Sequence, residues 1–273
     1  MTTIQYERAK ELYKQGKSLR QIGDLLGISR KGLSKKLKED GITIRDPNKN
    51  SVQNGKAKRF KEVDESIFEI IDTEEKAYWL GFLYADGYVN DKQVELALKA
   101  EDIEHIKKFK AFMKSEHKIS YKSSTDSYRI TICSSKIASD LSRLGCIQAK
   151  SLVLTFPNKE QVPEHLIHHF MRGYFDGDGC IAYGQGQYRL SILGTDKFLD
   201  KYEDYILSIL DRTNRNKRKL NGQASSIQYA GTKQVNKIYN FLYKDATIYL
   251  ERKYNKFLKN AVLGQIRGKN KKS

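Results

Sequence analysis

Apolar residues return at helical spacing three times in the first forty residues. Ala9, Leu12 and Tyr13 share one side of residues 4–15. Ser18 is placed to cap a second helix carrying Leu19, Ile22, Leu25 and Leu26, which Gly27 interrupts. Ser29 is placed to cap a third, where Leu33 and Leu37 repeat at i, i+4 before Gly41 stops it. The period then disappears. Residues 45–62 hold Pro47, three Asn, Gly55 and a run of Lys and Arg, so 45–69 reads as a basic linker between a small helical domain (1–44) and a larger body.

The body contains a repeat. YWLGFLYADGYV (78–89) matches FMRGYFDGDGCI (170–181) at a constant offset of 92, pairing Gly81 with Gly173, Ala85 with Gly177, Asp86 with Asp178 and Gly87 with Gly179. Strand-like alternation follows in 93–99 and 187–193, then a helical segment, a second strand (128–133; 226–230) and a closing helix. The expected class is α+β: two pseudo-symmetric αββαββα repeats, 70–157 and 158–262, behind an all-α domain and ahead of a basic tail, 263–273.

The repeated helices are apolar nearly all round, which places them in a core. On each, small residues recur at i, i+4: Gly81 with Ala85, and Gly173 with Gly177. Small residues on one face let two backbones approach, so these four positions are the expected helix interface. Each helix ends in an Asp, where the helix dipole disfavours a carboxylate, and two such carboxylates brought together repel. A hard divalent cation resolves both problems, since it seeks carboxylate and carbonyl oxygens. A lone Asp-Gly is explained by a turn; two copies on matched apolar helices favour the metal.

Charge sharpens this. The 273 residues carry 50 Lys and Arg against 33 Asp and Glu, a formal +17. Residues 1–62 hold a net +9 of it. Such clustering points to a nucleic acid. Cys133, Cys146 and Cys180 form no C-x-x-C pair, which excludes a disulfide framework and zinc-site spacing. With no long apolar run and no signal-peptide core, the chain is expected in the cytoplasm, away from membranes, and free-standing rather than embedded in an intein. His165, His168 and His169 open an apolar helix without Cys partners and are read as packing or surface residues.

Two resemblances follow. SLRQIGDLLGISRKGLSKKLKEDGI, within roughly residues 4–44, resembles the helix-turn-helix DNA-binding family, which implies that Arg30, Lys31, Ser34, Lys35 and Lys38 face the major groove. Residues 70–260 resemble the LAGLIDADG homing endonucleases, whose nine-residue motif maps onto WLGFLYADG (79–87) and MRGYFDGDG (171–179). The first positions depart from the name-pattern, but the packing Gly and the final Asp-Gly stand in both copies.

The second resemblance implies a double-motif monomer encoded by a mobile genetic element. Its sheets form a saddle over double-stranded DNA with a long asymmetric site, and it makes a staggered double-strand break. Asp86 and Asp178, with the carbonyls of Ala85 and Gly177, would hold Mg²⁺, a site that Mn²⁺ or Ca²⁺ also suits. Lys150 and Lys253 are the expected catalytic lysines. Alternation along the strands turns Gln93, Glu95, Ala97 and Lys99, then Arg129 and Thr131, then Gln187, Arg189 and Ser191, then Ser226, Gln228 and Ala230 toward the DNA. The alternatives are a regulator that binds DNA without cutting, against which both acids argue, and an intron RNA maturase on the same scaffold.

Overall fold

The computed structural model of the chain describes residues 2–45, 62–147, 153–220 and 224–258. It divides into two compact units, Met1–Phe60 and Lys61–Ser273.

The first unit holds α1 (Thr3–Lys14), α2 (Leu19–Leu26) and α3 (Arg30–Glu39). Thr2 and Ser18 each complete a capping box with the Gln three residues on, and the Ser29 side chain caps α3. Gly27 ends α2 at φ 62°, a left-handed conformation that a side chain would strain. Tyr6, Ala9, Leu12, Tyr13, Ile22, Leu33 and Leu37 form the core. Leu25, expected on the apolar face of α2, is 64% exposed. Ile22 and Leu26 cover the inner stripe, and Leu25 falls beyond its edge.

The second unit runs α4 (Glu74–Asp86), β1 (Gly87–Asn90), β2 (Gln93–Lys99), α5 (Ile103–Phe112), β3 (Ile119–Lys122), β4 (Ser127–Cys133) and α6 (Ser135–Arg143). The order then recurs in α7 (Ile167–Asp178), β5 (Gly179–Gly184), β6 (Gln187–Gly194), α8 (Asp196–Leu210), β7 (Lys217–Lys219), β8 (Ser225–Ala230) and α9 (Thr232–Tyr243). Each half is therefore αββαββα, with an antiparallel four-stranded sheet of order β1-β2-β4-β3 or β5-β6-β8-β7. A further helical segment covers 251–258.

The halves are not equal in reach. Gly87 pairs with Leu96, and Gly179 with Ile192. The structural counterpart of Gln93 is thus Arg189, not Gln187. The second hairpin is two residues longer along each strand, which a sequence match of 93–99 with 187–193 conceals. A shift of two preserves the faces.

α4 and α7 lie at the centre. Ala77 through Tyr84 are all buried, as are Phe170 through Asp176. The backbones meet directly: a Cβ on Gly81 would overlap the Phe170 carbonyl, and one on Gly173 would overlap the Tyr78 carbonyl. Aromatic rings fill the flanks, with Trp79 against Phe82, Phe109 and His105 on one side and Tyr174 against Phe198 on the other.

Tyr78, backed by His105, links the halves. The His105 Nε2 stands 3.0 Å from the Tyr78 hydroxyl, which donates across the interface to Asp176 Oδ2 at 2.8 Å. With that proton committed to Asp176, the imidazole supplies the hydrogen from Nε2. Burial lowers the pKa of His105 to about 3, with Lys108 adding to the effect.

Two outcomes are expected. Gly173→Val should destabilise the second unit by about 3 kcal/mol or more, because the obstacle is a carbonyl rather than a movable side chain; urea unfolding checks this. In the unfolded chain His105 protonates near pH 6.5, but in the fold only near pH 3. Its contribution is therefore present above pH 6.5 and lost as pH falls through that window, at a limit of about 1.4 kcal/mol per pH unit. His105→Gln should remove one proton from the uptake on unfolding, read as a shallower fall of unfolding free energy between pH 6.5 and 4.

Candidate active site

The two motif helices terminate side by side. Asp86 closes α4 and Asp178 closes α7, and the chain leaves each directly as a strand through Gly87 and Gly179. Ala85 faces Gly177 so closely that a Cβ on Gly177 would overlap the Ala85 methyl, and Asp86 Oδ2 would lie 3.4 Å from it. The Asp86 carboxylate thus reaches over the backbone of the opposite helix. Asp86 is exposed and Asp178 half-buried. Gly81, Ala85, Gly173 and Gly177 all lie along this contact.

Both carboxylates act on their neighbours. The Tyr174 hydroxyl donates to the Leu193 carbonyl at 2.9 Å, and its pKa is raised by burial, then by Asp178 and by Asp86. A cavity of about 160 Å³ borders Asp178 and is lined by Tyr84, Ala85, Tyr174 and Thr195.

Lys253 is buried beneath the site, although sequence alone leaves it open to a surface role. Its Nζ donates to the carbonyls of Phe175 (2.9 Å) and Gly177 (2.8 Å). Burial lowers its pKa, while Asp176, Asp86 and Asp178 pull it upward. The Gly177 carbonyl expected at the metal therefore already accepts an ammonium. Lys150 lies outside the described residues. Among those described, no group of three or more His, Cys, Asp and Glu gathers as a metal cage. Two carboxylates and helix-end carbonyls nevertheless form an all-oxygen set that suits a hard cation completing its shell with water.

The supporting polar groups were not singled out by sequence. Arg172 is wholly buried, donating to the carbonyls of Ile248 and Leu242 and to Glu74 Oε1 at 2.6 Å. Glu74 also accepts from the amides of Thr247 (2.8 Å) and Ile248. Asp176 accepts from Tyr78, from the Tyr243 hydroxyl and from the Leu250 amide at 2.7 Å. Charged residues inside an otherwise apolar helix were the available signal. His169 takes a hydrogen from Arg172 at 2.9 Å, and burial with that arginine beside it lowers its pKa to about 4. The His168 ring lies 3.8 Å from that of His169 at a tilt of 39°, and His165 is exposed.

The outward faces of the sheets are polar. Val94, Leu96 and Leu98 are buried, while Gln93 and Glu95 are half-buried and Lys99 is exposed. Arg129 and Thr131 alternate with buried Ile130 and Ile132. Glu95 already engages its neighbours, accepting from Thr131 at 2.9 Å and pairing with Arg129 at 3.4 Å. On the second sheet Gln187 and Ser191 are half-buried and Arg189 and Gln228 exposed, lining a groove of about 460 Å³. Ser226, expected outward, is 1% exposed. In register it sits between Leu193 of β6 and Arg218 of β7, and the Gln228 side-chain amide donates to its hydroxyl at 3.4 Å. In the first unit Arg30, Lys31, Lys35 and Lys38 are exposed on α3 and Ser34 is half-buried.

No family model matches the chain, and no curated protein does either. Solved structures do. The I-SmaMI LAGLIDADG homing endonuclease bound to cleaved DNA aligns with a TM-score of 0.50 at 11% identity, over 73% of this chain and 92% of that one. I-SmaMI bound to an uncleaved DNA target in the presence of calcium ions aligns with a TM-score of 0.50 at 12% identity, over 71% and 92%. Identity this low speaks for architecture, and the architecture agrees with the duplicated αββαββα halves packed through α4 and α7. The chain has the LAGLIDADG homing-endonuclease fold.

Proposed function

We propose that the chain is a site-specific DNA endonuclease that cuts both strands of a duplex with the help of a divalent cation. The observation that carries this reading is the pair of acids, Asp86 and Asp178, ending two helices in backbone contact, with the Lys253 ammonium below them. Two I-SmaMI structures of the same fold are DNA complexes, one with cleaved DNA and one with an uncleaved target in the presence of calcium ions.

Asp86 and Asp178 would hold Mg²⁺ or a similar cation, which would activate water and neutralise charge on the attacked phosphate. The residues of the chain do the rest. The helix contact fixes the two carboxylates relative to each other, so little is lost to reorganisation. Lys253 holds a positive charge against the Gly177 carbonyl, where it favours the anionic phosphate and its developing charge. The outward residues of the two sheets would meet the groove. Arg129 and Arg189 suit guanine edges, and Gln93, Gln187 and Gln228 suit adenine edges. At equivalent register positions the first sheet presents Glu95 and Thr131 where the second presents Ser191 and Gln228. The halves would therefore read different sequences, and the target would be asymmetric. Because one chain supplies both motif helices, a monomer suffices. The α3 face would add phosphate and groove contacts as a helix-turn-helix does.

Three outcomes test this. Purified protein is incubated with a randomised duplex library, with Mg²⁺ or with EDTA, and the ends are sequenced. Discrete staggered ends should require the cation. On the recovered site, Asp86→Asn and Asp178→Asn should each cut about 100-fold or more slowly while affinity stays within a few-fold. Cutting at the wild-type rate by either variant would remove the acids from the mechanism. Replacing Lys31, Lys35 and Lys38 together by Ala should weaken binding and reduce the slope of log affinity against log salt by about 0.9 for each phosphate no longer neutralised. An unchanged slope would take α3 out of the interface.

A further inference from the structure

The second motif helix carries a polar stripe that its counterpart lacks. His169, Arg172 and Asp176 lie at i, i+3 and i+7, where the first helix has Ala77, Leu80 and Tyr84 at the same offset of 92. The stripe faces the segment that follows α9, and every charged group on it is committed there. Arg172 and Glu74 hold residues 242–248 through backbone groups. Asp176 holds the Leu250 amide at 2.7 Å. Leu250 is where the segment 251–258 begins, since its carbonyl accepts from the amides of Lys253 and Tyr254. One turn later Lys253 reaches Gly177.

We propose that Asp176 is a positioning residue for Lys253. By fixing the first turn of the closing helical segment against α7, it sets the register that brings the ammonium to the Gly177 carbonyl, one residue from Asp178. This rests on the endonuclease reading for its catalytic consequence, but the positioning itself does not depend on it. A buried carboxylate is a costly residue at a helix interface. Here its oxygens are met by two tyrosine hydroxyls and one amide, and the Lys253 charge lies close enough to stabilise it. In the first half Tyr84 occupies the equivalent place and donates instead to the Leu144 carbonyl at 2.5 Å. The two halves thus steady the chain beside their motif helices by different chemistry.

The test uses the full chain. In Asp176→Asn, which keeps the shape of the side chain, the cleavage rate at saturating DNA should fall about tenfold or more with affinity within about twofold. In a Lys253→Ala background the same substitution should cost less than about twofold, because there is no ammonium left to misplace. Multiplicative losses would overturn the proposal, since a general weakening of the fold acts whether or not Lys253 is present. Acylation of lysines by an amine-reactive reagent, followed by mass spectrometry, gives a readout without cleavage. Lys253 should be protected in the wild type and react about tenfold faster in Asp176→Asn, with exposed lysines unchanged. Equal protection in both would also overturn it. If Asp176→Asn does not fold, Tyr243→Phe removes one of the three donors and should shift the Lys253 labelling in the same direction. If the wild type cuts no DNA, the endonuclease reading fails and the labelling still decides whether Asp176 positions Lys253.

Discussion

Two peptide backbones in contact set everything else in the larger unit. Gly81 lies against the Phe170 carbonyl, and Gly173 against the Tyr78 carbonyl. Nothing larger than hydrogen fits at either place, so the helices are held closer than side-chain packing allows. That closeness brings the helix ends together and with them Asp86 and Asp178. The residues along the interface are buried, so the polar groups there depend on partners within the protein.

The buried polar groups answer to that constraint. His105, Tyr78 and Asp176 form one chain of hydrogen bonds through the interface, and Glu74 with Arg172 forms a second cluster at its edge. Their strength as a stabilising device is modest, since burying charge costs nearly as much as pairing it returns. What they supply is definition. Five further bonds of Arg172, Glu74 and Asp176 end on backbone amides or carbonyls of Leu242, Thr247, Ile248 and Leu250, so the closing segment has one place to dock.

Much of this was legible in the sequence, for reasons that can be named. The 92-residue repeat and its small residues disclose both the duplication and the interface. The 2.0 and 3.6 periods disclose strands and helices. Ser18, Ser29, Gly27 and Gly41 mark the first unit because caps are chosen by local geometry. Three things were not legible. The hairpin lengths differ by two residues per strand, and alternation is blind to a shift of two. Ser226 is buried on a strand paired on its far side with β7, an edge strand of three residues with no apolar alternation to announce it. The Lys253 environment is assembled from residues 75 or more positions away, and no local pattern carries such information.

The unequal hairpins have a consequence for reach. A strand advances about 3.3 Å per residue, and stacked base pairs about 3.4 Å. Two extra residues at the turn end of β5 and β6 carry the tip of that hairpin roughly 7 Å further than its counterpart, about two base pairs of duplex. For a duplex lying across both sheets, the midpoint between Asp86 and Asp178 would not be the midpoint of the contacted sequence. The chain would then hold such a duplex as an off-centre lever, gripping more of it on one side of the two acids than on the other.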